Sequence, residues 1–221
     1  MKKNDRFSVR YLAMIGMFAA LAFVLTWATR PIPKVAGILS YDPKDAVVVI
    51  AGFLLGPLAS LIISVLSSFI EFLSISDTGL IGFLMNVVST CSFAVPAAFF
   101  YQKHRSMKGA VLSLAIGVTS MAACMVAWNY IVTPIYMEVE RAQVAAMLGK
   151  VFLPFNLVKG GLNAGLALLL YKPLTAALRK ARLALPSPSE HKGRFHLGFT
   201  LFALAVFVTF TLLLLVMLKV I

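Results

Sequence analysis

Seven apolar runs follow one another along the chain, and most are long enough to cross a bilayer. The hydrocarbon core is about 30 Å thick and needs about twenty apolar residues in a helix. Residues 9–29, 80–100, 110–135, 150–178 and 197–218 meet that requirement. Two further runs, 46–55 and 58–73, lie on either side of Gly56-Pro57. In lipid every backbone N–H and C=O must be satisfied within the protein, so such runs have to be helices. The predicted fold class is an all-α membrane protein.

Composition agrees. Of 221 residues, 61% are hydrophobic and 13% charged, whereas a soluble domain carries about a quarter charged residues. The N-terminal stretch Met1–Arg10 is basic and leads into an apolar run, 11–28. That run is longer than a signal-peptide core, so it reads as a retained first helix entering from the cytoplasm.

The net charge of +12 comes from 20 Lys and Arg against 8 Asp and Glu. The basic residues cluster between apolar runs, as they do in cytoplasmic loops. No nucleic-acid recognition motif accompanies them, so no nucleic-acid partner is expected. Charge also decides how to read Gly56-Pro57. With a tight turn there, Lys103, His104, Arg105 and Lys108 fall inside, as do Lys172, Arg179, Lys180 and Arg182. With one long kinked helix both clusters would face outward. The hairpin is therefore expected, its ten-residue first arm supplemented by its flanks.

Arg30-Pro31-Ile32-Pro33-Lys34 denies helix and opens an outer loop that runs to Tyr41. Asp42 then suits an N-cap, Pro43 a first helical position and Asp45 a capping-box acid, with a ligand role secondary for both acids. Pro186-Ser187-Pro188-Ser189 marks a polar linker. The expected organisation is a transmembrane domain over 1–183, a cytoplasmic linker over 184–196 and an additional transmembrane helix over 197–221. The N-terminus would be inside and the C-terminus outside. No internal repeat supports an inverted-repeat carrier.

Catalytic signatures are absent from the sequence. There is no GxxxxGK[ST], HExxH or GxSxG pattern, so neither a phosphate loop nor a hydrolytic motif is present. His104, His191 and His196 fall in the expected cytoplasmic loops, and Cys91 and Cys124 in apolar segments without a CxxC pair. No catalytic residue and no metal site is expected.

Polar groups at membrane depth are costly and point to function. Glu71, Asn129, Asn156 and Lys159 all fall toward the outer ends of their helices, and Asn156 and Lys159 share one helical face. Two readings stand side by side. Lys159 pairs with Glu71 and Asn129 bridges helices, or all four line an outward cavity with Trp128, Tyr130, Phe152 and Phe155. Amide and ammonium donors would then read hydroxyl or carbonyl groups, with aromatic and aliphatic side chains holding a flat ring. In the first helix Ala13, Gly16, Ala19 and Ala20 fall three or four apart, and Gly16 and Ala20 form a small-xxx-small pair. That face serves packing within the bundle or docking of a partner.

These features resemble the substrate-binding S components of energy-coupling factor (ECF) vitamin transporters, and specifically their riboflavin-binding members. The likeness spans about Val9 to Leu178. It rests on the small-residue first helix, Tyr41-Asp42-Pro43-Lys44-Asp45, Gly56-Pro57-Leu58-Ala59, Asn129-Tyr130 with Pro134 and Tyr136, and above all Pro154-Phe155-Asn156-Leu157-Val158-Lys159-Gly160. The resemblance implies a six-helix S-component bundle, here with an extra C-terminal transmembrane helix, in a bacterial cell membrane. It implies capture of riboflavin from outside, with no cofactor. It also implies a transmembrane T component and two cytoplasmic ATP-binding subunits as partners. Residues matching Asn129, Asn156 and Lys159 would hydrogen-bond the ligand, and the loop ending at Tyr41 would close over it. Glu71 and Tyr130 complete the expected site, and Ala13, Gly16 and Ala20 become the expected T-component contact. The alternatives are an S component for another vitamin or precursor, or a stand-alone proton-coupled carrier using Glu71.

Overall fold

The computed structural model describes residues 8–180 and 197–220. The expected linker 184–196, with His191 and His196, lies outside the described residues, as does Arg182. The elements in chain order are α1 (Val9–Thr29), α2 (Lys44–Leu55), α3 (Pro57–Ser74), α4 (Gly79–Lys103), α5 (Met107–Met137), α6 (Arg141–Met147), a π-helical turn (Leu148–Phe152), α7 (Leu153–Lys180) and α8 (Leu197–Met217). No strand occurs among the described residues; a single β-bridge joins Val35 and Leu39. With α6 and α7 joined through the π turn, α1 to α7 make six rods, and α8 adds a seventh.

Local chemistry sets these boundaries. Ser8 and Ser106 cap α1 and α5, each hydroxyl accepting from the N–H three residues on, at 3.2 and 3.0 Å. Gly56 ends α2 and starts α3 at φ 105° and ψ 168°, a region open only to glycine. Pro57 then supplies the first turn of α3. The hairpin predicted from charge is present, and it makes α3 antiparallel to α2.

Among the described residues six helical stretches are long and apolar enough to cross a membrane, and α2 is not among them. Its 12 residues rise only about 18 Å. Rather than being lengthened by its flanks into a span, α2 is enclosed. Every residue from Lys44 to Phe53 is buried, and α1, α3, α4 and α7 pack around it. A helix apolar on all sides finds its low-energy place inside the bundle. Gly52 permits the close approach: an added Cβ there would lie 2.8 Å from the Ala98 methyl.

The small face of α1 divides. Ala19 packs inward with Tyr11, Met14, Ile15, Phe18 and Ala22, whereas Ala13, Gly16 and Ala20 are exposed. The face read as a single stripe is therefore two, one facing α2 and α3 and one facing outward.

Antiparallel connections give the bundle two unlike ends. One gathers the 30–43 loop, the α3–α4 connection, the end of α5, and α6. The other carries Lys103, His104, Arg105, Lys108 and Lys172, near the Tyr101–Tyr171 hydroxyl contact at 3.1 Å.

Candidate functional site

A cavity of about 450 Å³ opens at the first of these ends, within the usual range of small-molecule sites, roughly 300–1,000 Å³. Its floor is built where α2 begins. The N-cap position falls on Pro43, one residue later than the sequence suggested, while the Asp42 carboxylate, just before it, accepts from the Lys44 N–H at 3.0 Å. The same carboxylate accepts from the Thr26 hydroxyl at 2.9 Å and pairs with the Lys44 ammonium at 2.9 Å.

Lys44 is 1% exposed, and its ammonium reaches Glu71 at 2.6 Å. Glu71 also accepts from the Asn86 amide at 3.0 Å. The sequence-based pairing of Glu71 with Lys159 is thus corrected, because Lys44 on the enclosed α2 takes Glu71. Lys159 instead pairs with Asp45, 3.3 Å away. Asp45 is fully buried and accepts from Thr90 at 2.6 Å. Its capping-box role is overturned. Its other oxygen faces Lys159 within range of charge attraction but outside hydrogen-bond geometry.

Asn163 ties the floor together. Its amide donates to the Asp42 carbonyl at 3.0 Å, and its oxygen accepts from the Ala46 N–H at 3.2 Å. This links α7 to the first turn of α2 across more than a hundred residues of sequence.

At Asp42, burial pushes the carboxyl pKa upward, but the Lys44 ammonium and, less strongly, Lys159 more than offset it, so the group is held below the ordinary carboxylate value. Burial, with the Asp42 and Asp45 charges, pushes the Tyr41 phenol well above its usual range, so it stays a neutral donor.

Asn129, Asn156, Lys159, Glu71 and Tyr41 all line the cavity, together with Asn86, Ser89, Thr26 and Phe155. Asn129 and Asn156 are 2% exposed. Each amide donates to the carbonyl one turn back on its own helix, at 2.7 Å, which fixes the side chain at the cavity wall. Asn129 also accepts from Thr133 at 2.9 Å. Leu39, Ile38, Met85, Met125 and Phe155 supply the apolar walls.

Tyr130 does not join them. It is 43% exposed and lies under the Arg141 guanidinium, 5.7 Å from the ring centroid. One residue past Asn129 on a helix turns about 100°, and on α5 that turn carries Tyr130 to the exposed side, beside Arg141. Trp128 packs against the helical core, and Phe152 is buried away from the cavity.

The loop over the cavity has its own structure. The Val35 N–H donates to Leu39 at 2.8 Å and the Leu39 N–H to Val35 at 3.0 Å. Ala36 and Gly37 turn the chain between them at φ 51° and 76°. Arg30 reaches Asp77 on the α3–α4 connection at 2.7 Å.

Sequence reading missed Asn86, Asn163 and Lys44, and ranked a site role for Asp45 behind capping. Asn163 was detectable: Asn156, Lys159 and Asn163 follow the i, i+3, i+7 spacing of one helix face. Lys44 and Asp45 sat inside a sequence pattern that reads as a helix cap, whereas the fold buries both. Among the described residues, no three His, Cys, Asp or Glu side chains gather as a metal site.

Comparison with known proteins adds to this geometry. The family model for the substrate-specific component of ECF transporters matches residues 10–171. The riboflavin transporter RibU of Staphylococcus aureus is 31% identical over 187 residues, covering 81% of this chain and 95% of that protein. The riboflavin transporter FmnP of Bacillus subtilis is 29% identical over 163 residues, covering 69% of this chain and 85% of that protein. A solved S component of a bacterial ECF transporter superposes with a TM-score of 0.65 at 27% identity, covering 80% of this chain and 99% of that one.

Proposed function

We propose that this chain, which belongs to the family of ECF transporter substrate-specific components, captures riboflavin from outside the cell. The protein is a membrane substrate-binding subunit rather than an enzyme. Energy for uptake would come from partners, a transmembrane T component and two cytoplasmic ATP-binding subunits.

The observation that carries the ligand assignment is the cavity itself, with amide and ammonium groups of Asn129, Asn156, Lys159 and Asn86 set among Leu39, Met85, Met125 and Phe155. Such a lining suits a flat, mostly apolar ring edged with carbonyls and carrying a hydroxylated chain. The names of the relatives from Staphylococcus aureus and Bacillus subtilis point to the same ligand. Glu71 is held by Lys44 and Asn86, which favours binding over proton-coupled carriage.

Orientation follows from charge. The end with Lys103, Arg105, Lys108 and Lys172 suits the cytoplasm, which turns the cavity outward and leaves the N-terminus inside.

The test is a riboflavin titration of the detergent-purified protein, followed by flavin fluorescence. Saturable quenching is expected, as is a yellow colour in freshly purified material. Folded protein that neither quenches nor competes for riboflavin would overturn the assignment.

A further inference from the structure

α8 lies outside the family match of 10–171, yet it is fitted closely to the bundle. Its inward stripe is Ala203, Phe207, Phe210 and Leu214, spaced four, three and four apart on one helical face. Opposite stand Gly161 and Gly165 of α7, a small-xxx-small pair. A Cβ at Gly161 would overlap the Phe210 ring, and one at Gly165 would fall 3.0 Å from the Phe207 backbone. Phe210 therefore occupies space that exists only because α7 has glycine there.

Nothing in this requires a role in binding, since a lipid-facing helix can dock for stability alone. The next turn is more informative. Ala203 and Leu214 are the two buried residues of α8. Leu214 belongs to one packed cluster with Val35 and Leu39 of the loop over the cavity and with Phe155 and Val158 of α7. Phe210, Met217 and Leu218 pack against the same cluster. Leu39 and Phe155 themselves line the cavity. The outer end of α8 thus belongs to the same packed cluster as the apolar wall of the cavity and the loop over it.

Toward Asp42 the loop is anchored by Thr26, Lys44 and Asn163, and toward its start it is tied by ion pairs at the surface. The Arg30–Asp77 and Lys34–Asp77 pairs are exposed, with side-chain exposures of 43% and 65%, and such pairs hold little in water. The burial of Val35 and Leu39, at 4% and 9% exposure, is the stronger tie, and α8 supplies part of the surface that buries them.

We propose that α8 is a brace behind the loop and outer wall of the cavity, with Leu214 as its positioning residue, and that it slows escape of bound ligand. This rests on the riboflavin reading above. Leu214 touches no ligand. It acts through Leu39 and Phe155.

The experiment is stopped-flow measurement of riboflavin dissociation from the full chain, wild type against Leu214→Ala, Phe210→Ala and Gly161→Leu. Each variant should release riboflavin faster, by about tenfold, with a smaller change in association rate. Leu214→Met, which refills the volume, should restore slow release. The pair Leu214→Ala and Leu39→Ala should be non-additive, since one acts through the other. A helix that docks for stability alone would lower the melting temperature and leave the dissociation rate at fixed temperature unchanged. That result in Leu214→Ala and Phe210→Ala overturns the inference, and it holds even if Gly161→Leu fails to fold. No riboflavin binding by the wild type would instead sink the ligand assignment.

Discussion

The Lys159 ammonium and the Asp45 carboxylate face each other at 3.3 Å between α7 and the first turn of α2. Asp45 is fully buried and Lys159 is 6% exposed. Removing one charge from such a pair leaves the other uncompensated in a low dielectric, a cost of about 3–5 kcal/mol. Asp45→Asn should therefore lower the melting temperature sharply. The double change Asp45→Asn with Lys159→Met should recover part of the loss, and thermal unfolding in detergent checks both. A double variant no more stable than Asp45→Asn alone would rule out the pairing as the cause.

The same pair makes Lys159→Ala a poor probe of ligand binding, because it orphans Asp45. Asn156→Ala is cleaner. Asn156 has no charged partner, and its amide donates to its own helix at Phe152. If it also contacts riboflavin, its loss should cost about 1–3 kcal/mol, or roughly one to two decades in Kd. Fluorescence titration measures this, and a normal melting curve shows the fold is kept. Unchanged affinity would remove Asn156 from the site.

Docking of the partner can be separated from binding on α1. Ala13, Gly16 and Ala20 are exposed, and a Cβ at Gly16 meets nothing within 4 Å. Gly16→Leu should leave riboflavin binding and stability within about 0.5 kcal/mol of wild type. If this face meets the T component, the added bulk blocks close helix approach and uptake by cells falls. Co-purification of the T component with wild type but not with Gly16→Leu would be the direct readout.

The long apolar helices, the charge-selected hairpin and Asn129, Asn156 and Lys159 were legible in the sequence, because helices in lipid need long apolar runs and polar groups there stand out; the short α6 was not, since Arg141 reads as part of an outer loop. The enclosure of α2 was not. A 12-residue apolar helix reads as a short span until the four helices around it are seen. That one difference hid Lys44 and Asp45, whose partners come from α3, α4 and α7. Tyr130 misled for a simpler reason: adjacency in sequence to Asn129 does not place it on the same face, and here it is exposed beside Arg141.

Gly56 gives a backbone prediction. At φ 105° and ψ 168° a side chain is strained, and an added Cβ would lie 2.8 Å from the Gln102 amide nitrogen. Gly56→Ala should cost about 1–3 kcal/mol. The flexible Gln102 end can move, so most of the cost is conformational. Gly198→Ala, where no atom lies within 4 Å of the added carbon, is the matched control. Equal melting temperatures for the two variants would contradict the strain argument.

Acid should loosen the cavity floor through Asp42. Its carboxyl is held below the ordinary value, so the folded state binds its proton less readily than the unfolded chain does. By linkage, that group's stabilising contribution is fully present above the unfolded pKa, about 3.9. It is lost as pH falls from there through the depressed folded value. Wild-type melting temperature should therefore carry no Asp42-dependent slope between neutral pH and about 5, then gain one below about 4. Asp42→Asn cannot titrate there. It should melt lower at neutral pH, since Lys44 keeps only Glu71 of its two carboxylate partners, and its curve should approach that of wild type as pH drops. A constant gap between the two proteins from pH 7 to about pH 3 would mean that the charge on Asp42 does not stabilise the fold.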